Sequence, residues 1–200
     1  MKSVKIGVVV FFATVLSGCL PSYLAKEAAD QSIKQAPADK AQIVFLRTTF
    51  VGGAAQTQLL EVNNGKLSFI GGLDWGRKMV HLTTPGEKVF MVTTGVADFM
   101  KANVEAGKTY YVHIDSRYVA FSLRPYRTDG TGKFNTDRPE FDKWLAETTL
   151  MVNTPEASEM AEKNMAEFQK AYDTYWPKWQ TKTPDQKAEL TLRKEDGVNI

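Results

Sequence analysis

The chain has 200 residues, 43% of them apolar, with 25 Lys and Arg set against 23 Asp and Glu for a formal charge of +2. That apolar content excludes disorder throughout, and the balance of charge excludes a general nucleic-acid binder or a polybasic membrane surface, both of which need a cationic excess. Cys19 is the only cysteine, so no internal disulfide forms and the fold relies on its core.

The first element is a leader. Lys2 and Lys5 precede an apolar stretch, residues 6–16, broken only by Gly7 and Thr14; these are the proportions of a secretory h-region. The stretch is roughly half of the about 20 residues that a membrane-spanning helix needs, so a permanent span is not expected. Leu16-Ser17-Gly18-Cys19 resembles the lipobox of bacterial lipoproteins, with Leu three positions before the Cys and two small residues between. The resemblance implies cleavage between Gly18 and Cys19 and a lipid on Cys19, in the form of a diacylglycerol thioether and an acylated amino terminus. The membrane is then a partner through that lipid, and no other cofactor is expected. Leu20, in place of an Asp, implies forwarding to the outer membrane. Each buried methylene contributes about 0.8 kcal/mol, and two or more chains suffice for stable anchoring. An ordinary cleaved signal with Cys19 as a stray thiol is the alternative.

Residues 1–18 therefore read as a signal peptide and 19–40 as a lipidated tether. The tether is small, polar and charged between Pro21 and Pro37, with room for a short helix over 25–35, and it is expected to be the least ordered part of the mature chain.

From 41 to 126 short apolar or alternating runs are separated by Gly, Asn and Pro turns, as in an antiparallel β domain. Residues 42–50 open as an almost continuous apolar run, which suits a strand buried on both faces. Asn63-Asn64-Gly65 marks one hairpin turn and Thr84-Pro85-Gly86-Glu87 a second. Glu105-Ala106-Gly107-Lys108 leads into residues 109–115, where Tyr110, Val112 and Ile114 share one face and Tyr111, His113 and Asp115 the other. Gly65, Gly86 and Gly107 answer turn geometry. About seven strands rich in β-branched and aromatic residues predict a small β-sandwich, within an α+β fold because the period then changes.

Residues 139–151 place Phe141, Trp144, Leu145 and Thr148 at helical spacing with Asp137 as N-cap. A longer helix starts at Thr154-Pro155 with an apolar stripe through Ala157, Met160, Ala161, Met165, Phe168, Tyr172 and Tyr175, and Pro177 is expected to end it. Thr183-Pro184-Asp185-Gln186 has the form of a capping box, opening a third helix through about Leu192. The stripe is expected to cover one face or edge of the sandwich, making 137–193 a helical extension of the same globular unit.

The segments at residues 40–47 (KAQIVFLR), 84–90 (TPGEKVF) and 105–112 (EAGKTYYV) resemble a family of bacterial lipoproteins classed as a domain of unknown function. The Ala-Gly-Lys-Thr-Tyr-Tyr segment is the most specific of the three. The resemblance covers roughly 90 of the 200 residues and implies an Ig- or transthyretin-type sandwich in an envelope lipoprotein. It carries no catalytic residue to transfer.

The residues themselves carry little chemistry. His81 and His113 lack partners at zinc-ligand spacing, so no metal is expected. The stretch from Gly71 to Gly76 is glycine-rich but lacks the strand-turn-helix setting of a phosphate loop and reads as a turn. No Gly-x-Ser-x-Gly elbow occurs. Tyr111, His113, Tyr118 and Arg124, with Trp75 on a nearby loop, form a candidate binding patch able to stack on a sugar ring or receive a peptide; the competing expectation is that the C-terminal helices cover those rings. The chain is thus expected to be a noncatalytic binding or structural module, lipid-anchored and facing the periplasm, with another envelope protein or the cell wall as partner and no nucleic acid. The alternative is an envelope enzyme acting on wall glycan or peptide through carboxylates such as Glu87, Asp115, Glu140 and Asp142, which needs two acids about 5–9.5 Å apart across a cleft.

Overall fold

The computed structural model describes residues 25–48, 56–117 and 120–200. Gly18, Cys19 and Tyr118 lie outside the described residues, as does the leader. In chain order the elements are β1 (Ala25–Glu27), β2 (Ala41–Arg47), β3 (Thr57–Asn63), β4 (Lys66–Leu73), β5 (Arg77–Thr83), β6 (Gly86–Thr93), β7 (Ala97–Val104), β8 (Thr109–Arg117), β9 (Ala120–Pro125), α1 (Pro139–Glu147), β10 (Thr149–Asn153), α2 (Pro155–Gln180), α3 (Pro184–Glu189) and β11 (Thr191–Leu192). The fold is α+β. A first sheet has the order β1-β10-β5-β2-β8-β9 and a second the order β11-β7-β6-β3-β4.

Alternation of side chains along each strand sorts the apolar residues into three layers. Ile43, Phe45, Leu59, Phe90, Val92, Met100, Tyr110, Val112, Ile114 and Leu123 fill the space between the sheets. On the outer face of the first sheet Val44, Leu46 and Tyr111 meet Tyr126, Phe134 and Phe141. On the outer face of the second, Leu60, Met91 and Phe99 meet Ala161, Phe168, Ala171 and Trp179 of α2. Strand β2 is buried along its whole length, because it is central in a sheet covered on both sides. The α2 stripe packs on the second sheet as its period requires.

Several sequence expectations change. The pairing is mixed rather than antiparallel: β2 runs parallel to β8, β10 to β5 and β11 to β7. β2 and β8 start at the same end, where the Gly107 amide donates to the Lys40 carbonyl and the Gln42 amide to Lys108, since the chain visits the second sheet between them. Asn64 and Gly65, both at positive φ, close the β3–β4 hairpin as predicted. Thr84-Pro85-Gly86-Glu87 does not close a hairpin. Strands β5 and β6 belong to different sheets, and the turn, with Gly86 at φ +110°, carries the chain across the sandwich.

Gly71-Gly72-Leu73 is the end of β4 and not a turn. Gly71 lies where the sheets approach; a Cβ there would stand 2.8 Å from Asn153 Oδ1 and closer still to Met79 Sδ. The true turn is residues 74–76.

The first helix stops at Glu147 rather than near residue 151, its N-cap is Arg138 rather than Asp137, and Thr149–Asn153 becomes β10. Thr148, Thr149 and Val152 are β-branched and disfavour a helix, while β5 offers an open edge. Buried Lys78 donates to the carbonyls of Leu145 and Thr148 at 2.7 and 2.6 Å and so caps the helix end with a cation. The long helix runs through Pro177 to Gln180. An interior proline costs about 3 kcal/mol, but burying an indole removes about 150–250 Å² from water at about 25 cal/mol/Å², and Trp179 is buried two residues later. The capping box at Thr183 and Gln186 forms, but α3 ends at Glu189 and Thr191 and Leu192 join the second sheet.

Residues 25–40, expected to be part of a tether and poorly ordered, pack on the body. Residues 25–27 are a strand paired with β10, no helix forms over 25–35, and the following coil is docked: the Ala28 amide donates to Leu150, the Gln31 side chain bonds Leu150 on both its amide and carbonyl, and Ala36 is buried. The edge of β10 has backbone groups to satisfy, and this segment satisfies them. Among the described residues no helix is long and apolar enough to cross a membrane.

Candidate functional site

Strand alternation places Tyr111 and His113 on the outer face of the first sheet. Arg124 of β9 is the register partner of His113 and so shares that face. The structure brings these three together. Trp75, half exposed, stands instead on the turn joining β4 to β5 at the end of the sandwich.

The rings are covered. After β9 the chain folds back through residues 128–136, held by an Asp129–Thr131 turn and by the Arg127 amide donating to the Phe134 carbonyl. This sets Phe134 parallel to His113 at 4.4 Å between ring centroids, with Trp144 of α1 at 5.2 Å. Phe141 meets Tyr111 edge-on at 5.0 Å. His113 is 1% exposed, and its Nδ1 lies 3.3 Å from the Tyr126 hydroxyl. Burial pushes the imidazole down to about 4, against the opposing pull of Asp115, so it is neutral at neutral pH. Burial likewise pushes the Tyr126 hydroxyl up. As an exposed patch, Tyr111 and His113 are corrected: they are packing residues beneath α1 and the loop, because a β face this apolar must be covered.

What remains open beside them is a cleft of about 220 Å³ lined by Arg124, Pro125, Arg127, Lys133, Phe134 and Glu189. Arg124 faces Glu189 at 3.9 Å, and Lys133 faces Asp115 at 3.7 Å while lying 4.8 Å from the Phe134 ring centroid. The floor is rigid. Arg127 donates to Thr191, Ala188 and buried Asp196, which Arg193 also grips. The cleft is smaller than the about 300–1,000 Å³ of most ligand pockets and fits one side chain or ring, with cations at the rim and a phenyl wall.

A larger groove of about 660 Å³ crosses the outer face of the second sheet beside the C-terminal part of α2. Its in-register floor is Val62, Val89 and Lys101, its wall is Trp176, and Asn63, Asn64, Glu87 and Asn103 line its rim. Trp176 presents its edge, since Tyr172 and Trp179 stack on either side of the ring. Sequence reasoning missed this groove. The only signal for it was Trp176 on a helix otherwise read as packing, and nothing local tells how much of the sheet α2 covers.

A third polar grouping was also missed. Glu61 and Lys88 from the second sheet meet His81 and Thr83 from the first, at the crossing made by residues 84–85. Glu61 accepts from His81 at 2.7 Å and Thr83 at 3.1 Å, with the Lys88 ammonium at 3.5 Å. Burial pushes the Glu61 carboxyl up, but the hydrogen bond and charge of His81, with Thr83 and Lys88, outweigh it and hold it below its usual range. The carboxylates weighed for acid-base chemistry are dispersed: Glu87 is on β6, Asp115 on β8, and Glu140 and Asp142 are exposed in the first turn of α1. No family model matches the chain, and no curated protein matches it.

Proposed function

We propose that this protein is a lipid-anchored module of the bacterial cell envelope that binds a partner rather than catalysing a reaction, held on the outer membrane and facing the periplasm. One observation carries the reading: a charged start, a short apolar stretch and Leu16-Ser17-Gly18-Cys19, with the chain's only cysteine at the position where lipidation needs it. Attachment through two or more acyl chains is stable without inserting polypeptide.

The geometry favours binding. Around a filled space between the sheets, the concave surfaces among the described residues include the Arg124 cleft and the Trp176 groove, each mixing apolar floor with a few polar groups as recognition sites do. The dispersal of Glu87, Asp115, Glu140 and Asp142 does not supply the pair of facing acids that glycoside chemistry uses. The partner class is another envelope protein or the cell wall. Metabolic labelling with a fatty-acid analogue tests the anchor: the label enters the wild type and is absent from Cys19→Ala, and equal labelling of both would refute it. Crosslinking in intact cells from probes in the Arg124 cleft and the Trp176 groove tests the binding, with capture of one envelope component above a Trp75-sited control as the expected result.

A further inference from the structure

The docking of residues 25–40 fixes how the body can sit on a membrane. This inference rests on the lipid anchor proposed above. Between Cys19 and Ala25 there are six chain steps, and at about 3.3–3.6 Å per residue they reach about 20 Å at full extension. A free tether over the whole of 20–40 would have let every face of the domain reach the bilayer; six steps do not. The first sheet spans five inter-strand spacings from β1 to β9, about 24 Å at about 4.8 Å each, so the β1 edge is held near the lipid while the β9 edge has no such constraint.

The surface beside that attachment has the chemistry of an interfacial contact. Among the described residues four large apolar side chains are exposed, Trp75, Leu82, Val152 and Ile200, and two of them lie here. Val152 on β10 and Leu82 on β5 point from the same outer face of the first sheet, because Met151, Met79 and His81 alternate with them toward the interior. Lys26 of β1, the register partner of Val152, is exposed on that face. An apolar pair flanked by a long-stemmed cation suits a headgroup boundary, where methyl groups enter the acyl margin and the ammonium stays with phosphate.

We propose that the face formed by Lys26, Val152 and Leu82, next to the strand where the lipid-bearing end joins the body, rests on the membrane surface, with the β9 edge and its Arg124 cleft farthest from the attachment. The occupant of this face is the lipid surface and not a second copy of the chain, because the attachment brings lipid within about 20 Å of it in every copy.

The test uses full-length lipidated protein in phosphatidylethanolamine and phosphatidylglycerol vesicles containing nitroxide-labelled lipid. Fluorophores are placed at Val152→Cys and Leu82→Cys on the proposed contact and at Glu189→Cys beside the cleft; all three positions are exposed, so the core is untouched. Quenching by the labelled lipid is expected to be several-fold stronger at 152 and 82 than at 189. Equal quenching at the three sites, or the reverse order, overturns the proposal, and so does probe-to-probe crosslinking at 152 that persists when lipid is replaced by detergent, which would assign the face to a second copy. Vesicle flotation separates the two levels. If Cys19→Ala floats like the wild type, the anchor itself fails and this orientation with it; if only the wild type floats but the probes are quenched alike, the anchor stands and the orientation alone is wrong.

Discussion

The two histidines lie on opposite faces of the first sheet and are accommodated by opposite means. His113 sits beneath Phe134 and Trp144 with a tyrosine hydroxyl as its polar neighbour, so its surroundings exclude charge and hold the ring neutral. His81, between the sheets, hydrogen-bonds the Glu61 carboxylate at 2.7 Å, and there it is the carboxylate that keeps its charge, because hydrogen-bonding partners were supplied with it. Both solutions obey one rule, that a buried polar group is kept neutral or is paired. The consequences differ: the first site depends on excluding water and the second on keeping an ion in place.

The largest effect is expected from opening the dry site. Phe134→Ala should cost about 3–5 kcal/mol, as core phenylalanine truncations do, and should let His113 titrate nearer its ordinary 6.5. Denaturant unfolding and an NMR titration of the imidazole check both parts, and a stable variant with the ring still near 4 would break the comparison.

The next effect is a pH dependence of the wild type itself. The imidazole of His113 is pushed from 6.5 to about 4, so below 6.5 the unfolded chain binds the proton that the folded chain refuses. Its contribution to stability is therefore complete above pH 6.5 and lost as pH falls to about 4, amounting to about 3 kcal/mol at one kcal/mol and a third per pH unit. Wild type and His113→Phe, measured from pH 7 to 4, should differ in slope over that window.

Glu61→Gln should cost about 1–3 kcal/mol at neutral pH, because half-buried His81 and buried Thr83 lose a charged acceptor. The sign with pH is that of a depressed carboxyl: its stabilisation is present above the ordinary Glu value and is lost as pH falls through the lower folded one, so the gap between wild type and variant should close in acid. A gap that stays constant would mean that shape, and not charge, matters at this crossing. The smallest effect is Lys88→Met, about 1 kcal/mol or less for an ammonium 3.5 Å from its carboxylate near the rim of the sandwich. Its salt dependence is the readout, since the wild type should lose part of the difference as ionic strength rises.

Local chemistry was legible where one segment decides the outcome. The doubly buried β2, the Asn64-Gly65 turn, the opposite faces of Tyr110 and Tyr111, the α2 stripe and the capping box at Thr183 follow from spacing and from the backbone each residue tolerates. Failures occurred where the partner was distant. The turn at residues 84–87 has the chemistry of a hairpin yet joins two sheets, because Pro85 and Gly86 set the bend but not the neighbour. Residues 149–151 read as the end of a helix but are drawn into a strand by the edge of β5. Residues 25–40 have the composition of a linker, yet Ala28 and Gln31 hydrogen-bond Leu150, more than a hundred residues away.

The candidate site divides the same way. Aromatic and basic character near Tyr111, His113 and Arg124 was visible, whereas the loop that places Phe134 on His113 was not. Glu61 carried no signal, since one acid among 23 acquires meaning only when the opposite sheet brings His81 to it.

Residue order alone sufficed for the proposed compartment signal, the α+β class and the periodicity of most elements, because each depends on neighbours within a few positions. Which sheet a strand joins, which rings are sealed, that residues 25–40 dock on the body and where the Arg124 cleft and the Trp176 groove lie emerged from contacts between segments far apart in the chain. Those contacts are set by the shared need to bury apolar faces and satisfy edge hydrogen bonds, a condition that no single segment meets on its own.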